Sequence, residues 1–70
     1  MKYSILVQWS DEDQRYVVIL PEFADVHMMP VADGATYEEA MERGRNALEN
    51  IIEFMREDGR PLPAPHVFAA

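Results

Sequence analysis

TYEEAMERGRNALENIIEFMREDG, running from Thr36 to Gly59, is a single amphipathic helix written with both of its ends. Thr36 is placed to accept the Glu39 backbone N–H, and Glu39 to reach back to the Thr36 N–H, which is a capping box. Apolar or small residues then recur at Tyr37, Ala40, Met41, Gly44, Ala47, Leu48, Ile51, Ile52 and Met55. Steps of three and four put them on one stripe of a 3.6-period helix. The opposite face carries Glu38, Glu42, Arg45, Glu49, Glu53, Arg56 and Glu57. Gly59 supplies a C′ stop, with Pro61 close behind. One stripe cannot bury itself, so the remaining chain must supply a sheet for the helix to lie on.

Outward from the helix, Lys2 to Trp9 alternates, with Tyr3, Ile5, Val7 and Trp9 on one face of a strand and Lys2, Ser4, Leu6 and Gln8 on the other. Ser10-Asp11-Glu12-Asp13-Gln14 is a polar break. Arg15 to Leu20 resumes the β pattern, so the two runs read as an antiparallel hairpin. Polar positions in the first strand predict a sheet covered by the helix on one side and largely open on the other. Leu6, with either Val17 and Ile19 or Tyr16, Val18 and Leu20, falls on the open face and is a candidate dimer contact. Pro21 ends the second strand. Val26 to Ala32 reads as a third strand, at an edge, bulged or split because Pro30 lacks a ladder N–H. Asp33-Gly34 reads as the turn into the helix cap. After Gly59 the prolines at 61, 63 and 65 force an extended path. His66-Val67-Phe68-Ala69 is a short edge strand or a tail. The expected fold is α+β, a β-β-β-α order with an optional fourth strand, in one domain spanning residues 1–70.

At 70 residues the domain is small enough to be marginal alone, burying about 60% of the surface its unfolded chain exposes. It has no cysteine, so good packing or self-association must stabilise it. Thirteen carboxylates against six Lys and Arg give a net charge of −7. That surface repels phosphate backbones, disfavouring direct nucleic-acid binding, and attracts a basic protein surface. Solubility alone is the plainer use of the same charge. No apolar run approaches the roughly 18 residues of a membrane span, and the N-terminal pattern is unlike a signal peptide. The expected location is cytoplasmic.

Each chemical candidate has a plainer structural reading. Asp11-Glu12-Asp13 lacks the length and spacing of a hard-cation loop and reads as a solvated hairpin turn. His27 and His66 would need a carboxylate such as Asp25 or Asp33 to complete a zinc site, and no ligand spacing supports one. His27 as a general base has no evident nucleophile or oriented partner, so a core-edge or interface histidine is the better reading. Catalytic, cofactor and metal residues are therefore expected to be none. On the outer helix face Glu38 with Glu42, Glu49 with Glu53 and Glu53 with Glu57 are like-charge pairs four apart. Glu42–Arg45, Glu53–Arg56 and Arg45–Glu49 would offset them in part. Met41 and Met55 belong to the core stripe. Of the adjacent Met28 and Met29, one is expected to be exposed or at an interface. Gly44 costs roughly 1 kcal/mol against alanine in a helix. Its use would be a close approach, with Trp9 or Tyr16 as the neighbour.

Several pieces, in order, resemble the HicB-like antitoxins of bacterial and archaeal toxin–antitoxin pairs. They are Trp9-Ser10 followed by acidic residues, Tyr16-Val17-Val18, Leu20-Pro21-Glu22-Phe23, Pro30-Val31-Ala32-Asp33-Gly34-Ala35-Thr36-Tyr37-Glu38-Glu39-Ala40, and Glu57-Asp58-Gly59-Arg60-Pro61-Leu62-Pro63. The likeness covers nearly the whole chain, and its specificity lies in order and spacing. Two pieces depart from the family pattern: Ala24 to Val31 is longer than the usual Pro-Gly turn, and Ala35 replaces the aspartate of Gly-Asp-Thr. The resemblance implies a partial ribonuclease-H-like fold, usually dimeric and without catalytic carboxylates. It implies a partner, a small basic HicA-like toxin that cleaves mRNA, whose active surface the antitoxin covers. The form expected here is a short one without an appended DNA-binding domain. An orphan structural adaptor of the same fold and a metal-dependent hydrolase are the alternatives.

Overall fold

A computed structural model describes residues 2–69 and contains a three-stranded antiparallel sheet under one long helix. The strands are β1 (Leu6–Ser10), β2 (Arg15–Ile19) and β3 (Ala32–Gly34), in spatial order β1-β2-β3, and the helix is α1 (Tyr37–Glu57). β1 pairs with β2 from Leu6↔Ile19 to Ser10↔Arg15, and β2 with β3 from Tyr16↔Gly34 to Val18↔Ala32. The hairpin loop is closed by its own polar groups. Gln14 N donates to Ser10 O at 2.8 Å, Asp13 N to Ser10 Oγ at 3.2 Å, and Gln14 Nε2 to Asp11 O at 2.7 Å. Gln14 sits at φ 54°, the left-handed turn that lets four residues reverse the strand.

Alternation settles which face is buried. Val18 and Leu20 are fully buried under α1, so Val17 and Ile19 of the same strand face the open side beside Leu6, which is 42% exposed. The helix contributes Ala40, Gly44, Leu48, Ile51, Ile52 and Met55 to the core. Full burial of a Leu, Ile or Met side chain is worth roughly 1.5–3 kcal/mol, so the stripe is the main reason α1 holds its place. Gly44 marks the closest approach. A Cβ there would stand 2.6 Å from Val18 Cγ1, so the neighbour that requires glycine is Val18 and not Trp9 or Tyr16. Gly34 plays the same part at the other end of the contact, where a Cβ would meet Ala40 N at 2.5 Å. Tyr37, at the head of the stripe, is 60% exposed and stacks on Tyr16 instead of entering the core.

The helix ends follow the local chemistry closely. Thr36 Oγ1 accepts the Glu39 N–H at 3.1 Å. The reciprocal half differs by one residue, since Glu39 Oε1 takes the Ala35 N–H at 2.8 Å instead of that of Thr36. Gly59 at φ 69° ends the helix in a Schellman arrangement, with Arg60 N on Met55 O at 2.9 Å and Gly59 N on Arg56 O at 3.2 Å.

Three expected strands are corrected. The first is Leu6–Ser10 and not Lys2 to Trp9, since residues 2–5 carry no strand. The third strand is not Val26 to Ala32 but Ala32–Gly34, with Asp33-Gly34 inside it instead of forming the turn. Pro21–Phe23 forms a 3-10 turn, and the chain to residue 31 is irregular, with a cis Met29–Pro30 bond. Pro30 has no N–H to give a ladder, so pairing begins after it. Residues 60–69 carry no strand, so the optional fourth strand, 66–69, is a tail.

Candidate interaction surfaces and a buried carboxylate

Four groups at the start of α1 form a charge cluster joining three elements. Arg15, at the start of β2, reaches Asp33 Oδ1 at 3.6 Å and Glu39 Oε1 at 3.3 Å. Arg43 reaches Asp33 Oδ1 at 3.5 Å and Glu39 Oε1 at 3.8 Å. Each pair is solvent-exposed and worth about 0–1 kcal/mol, so the cluster orients more than it stabilises. The Ala35 N–H, followed by the Arg43 charge, outweighs partial burial and, with Arg15, holds the Glu39 carboxyl below its ordinary value. Beside the cluster Trp9, Tyr16 and Tyr37 stack in a row, with centroids 5.1 and 4.2 Å apart. Burial, then the neighbouring Tyr37 and Glu38, pushes the Tyr16 phenol up.

The outer face of α1 differs in kind. Glu38, Glu42, Glu49, Glu53 and Glu57 are all exposed along it. The offsetting pairs Glu42–Arg45, Arg45–Glu49 and Glu53–Arg56 are not formed, because the ion pairs among the described residues involve Arg15, Arg43 and Arg60 instead. Helix spacing makes such pairs reachable but weak, and exposed arginines keep their rotamer freedom. The acidic row therefore runs about 30 Å with no arginine folded back on it.

Glu22 is the one buried charged residue among those described, 7% exposed. Its Oε1 and Oε2 both accept Ser4 N at 3.1 Å, Oε2 accepts Ser4 Oγ at 3.1 Å, and Oε2 accepts His66 N at 2.8 Å. Burial pushes this carboxyl up, yet the N–H groups of His66, Glu22 itself and Ser4, with the Ser4 hydroxyl, outweigh it and hold it below its ordinary value. Tyr3 stacks edge-on against Phe23 at 4.9 Å and donates its hydroxyl to Pro63 O at 2.7 Å. The segment before β1 and the tail after α1 are thus fastened to the same turn. Reading the sequence missed this role. Its trace was a charged residue between proline and phenylalanine at the end of an apolar strand.

The remaining candidates separate. Asp11 accepts Trp9 Nε1 at 2.8 Å and Asp13 accepts Ser10 Oγ at 3.0 Å, so two of the three loop acids serve the hairpin. Asp33 belongs to the charge cluster, Asp25 is exposed, and His66 acts through its backbone. Among the described residues no group of three or more His, Asp or Glu side chains is placed to hold a metal ion. Met29 packs on the core, its Sδ 3.4 Å from Leu20 N, while Met28 is exposed. His27 lines an open groove of about 420 Å³ with Val26, Ile51 and Phe54. Phe54, outside the inner stripe, lines that groove from the helix side. No protein-family model, curated protein or solved structure matches the chain. No helix among the described residues is long and apolar enough to cross a membrane.

Proposed function

We propose that this chain is a non-catalytic, antitoxin-like protein that binds a small basic ribonuclease of the HicA-like kind and masks its active surface. The observation that carries the reading is the acidic row Glu38, Glu42, Glu49, Glu53 and Glu57, exposed along α1 without an ion-paired arginine among the described residues. Like charges four apart weaken a helix, and a basic partner turns that cost into attraction. The net charge of −7 gives the long-range field that steers such a partner. The order of sequence pieces shared with HicB-like antitoxins supports the same conclusion. A cytoplasmic location and a homodimeric state belong to the proposal.

Coexpression tests it. A small basic protein encoded beside this chain should arrest growth when expressed alone and lose that effect when the two are made together. Equal toxicity with and without this chain overturns the proposal. Replacing Glu42, Glu49 and Glu53 by glutamine should weaken rescue without unfolding the protein, because all three side chains are exposed.

A further inference from the structure

The two edges of the sheet are treated differently. β3 is three residues long, follows Pro30 and carries the charged Asp33. Arg43 Nη1 also donates to Asp33 O at 3.3 Å. Short length, charge and a capped carbonyl are the usual defences of an edge strand. β1, Leu6-Val7-Gln8-Trp9-Ser10, has none of them: five residues, no charge and no proline. Its outer side pairs with no strand among the described residues.

Two hydrogen bonds show which backbone groups lie on that free side. Val31 N donates to Val18 O at 2.9 Å, so the Val18 backbone points to β3. Val7 stands opposite Val18, and its N–H and C=O therefore point away from β2. Ser10 O accepts Gln14 N on the hairpin side, which gives the same alternation. Val7 and Trp9 thus present two donors and two acceptors outward. Trp9 is 49% exposed on the helix-side face and Leu6 is half-exposed on the other, so both faces of the edge continue as apolar surface.

We infer that β1 pairs antiparallel with β1 of a second copy of this chain, about a two-fold axis at Gln8, joining the two sheets into one of six strands. Val7 then exchanges both of its backbone hydrogen bonds with Trp9 of the second copy, and Trp9 with its Val7. Gln8 faces Gln8 of the second copy in a non-hydrogen-bonded pair, where side chains approach most closely. β1 itself carries no charge, so this register sets no like charges opposite each other. The acidic outer face of α1 stays free. The inference rests on the homodimeric part of the proposed function and is independent of the basic partner.

Sedimentation velocity with amide hydrogen exchange tests it on the unmodified chain and on Gln8→Lys. The chain should sediment as a dimer. Its Val7 and Trp9 amides should be protected, and that protection should fall on dilution. Gln8→Lys sets two like charges side by side at the axis and should weaken association by about tenfold or more, leaving the circular dichroism of the fold unchanged. A monomer at every concentration overturns both the pairing and the dimer. A dimer whose Val7 and Trp9 amides exchange as freely as those of exposed loops overturns the pairing alone. Undiminished dimerisation of a folded Gln8→Lys also overturns it.

Discussion

Replacing Glu22 by glutamine keeps the shape of the side chain and removes its charge. The carboxylate accepts from Ser4 N, Ser4 Oγ and His66 N at 2.8–3.1 Å in a site 7% exposed. An amide offers one oxygen; with it placed at the Oε2 position, the NH2 group is turned toward the Ser4 N–H, which cannot accept. Hydrogen bonds to a charged group contribute about 1.5–3 kcal/mol and neutral ones about 0.5–1.5 kcal/mol, and an orphaned buried donor costs about 1–3 kcal/mol. The substitution should therefore cost about 2–4 kcal/mol at neutral pH. That is a large share of the about 5–15 kcal/mol typical of a folded domain. The pH dependence carries the sharper test. The folded carboxyl titrates below its ordinary value, so its contribution is fully present above the unfolded carboxylate's pKa and is lost as pH falls through the folded one. Urea unfolding of both proteins across that range should show the stability gap open at neutral pH and closing in acid. Amide exchange at His66 should rise first in the variant, because the tail is fastened there. A gap that is absent at pH 7, or that persists undiminished in acid, would refute the reasoning.

Gly44→Ala gains about 1 kcal/mol of helix propensity but drives a Cβ into the stiff, buried Val18, an overpacking that costs about 1–3 kcal/mol. A net loss of up to about 2 kcal/mol in chemical denaturation is expected, partly recovered in Gly44→Ala/Val18→Ala relative to the sum of the single changes. Gly59→Ala meets nothing within 4 Å, so its cost is purely the left-handed backbone, about 1 kcal/mol, and its melting temperature should fall by about 4–8 °C. Salt should act oppositely on the two proposed associations. Added salt weakens binding to a basic partner and strengthens pairing between two acidic copies, and titrations against ionic strength would read both signs.

What could be read from the sequence was what is local. The helix could be read to within a residue because Thr36, the stripe and Gly59 each act within a turn or two of themselves. The hairpin could be read because alternation on either side of a polar break has no other compact solution. The third strand could not, because Ala32–Gly34 becomes a strand only by pairing with Tyr16, Val17 and Val18. Gly34, a turn residue by composition, is there to admit the backbone of Ala40. Glu22 could not be read either. Its burial depends on Ser4 and His66, 18 and 44 residues away in the chain. The neighbour of Gly44 was misread for a related reason: periodicity says that something must come close, while the register of β2 under α1 says that it is Val18.

The distribution of charge separates two tasks that a 70-residue chain has little surface to perform. Of its six cationic side chains, Arg15 and Arg43 are spent on Asp33 and Glu39, and Arg60 reaches Asp58 at 3.7 Å. The acids they pair with lie on β3 and at the two ends of α1. Of the acids left exposed, Glu38, Glu42, Glu49, Glu53 and Glu57 lie along the outer helix face, one layer away from the sheet and its uncharged β1 edge, while Asp11, Glu12, Asp13 and Asp25 lie on loops. A basic protein drawn to the helix would not compete for the backbone groups of Val7 and Trp9. A second copy joined at β1 would not cover Glu42, Glu49 or Glu53. The same packing that leaves each element half-covered thus leaves two surfaces of opposite character, one read by charge and one by hydrogen bonds, able to be occupied together.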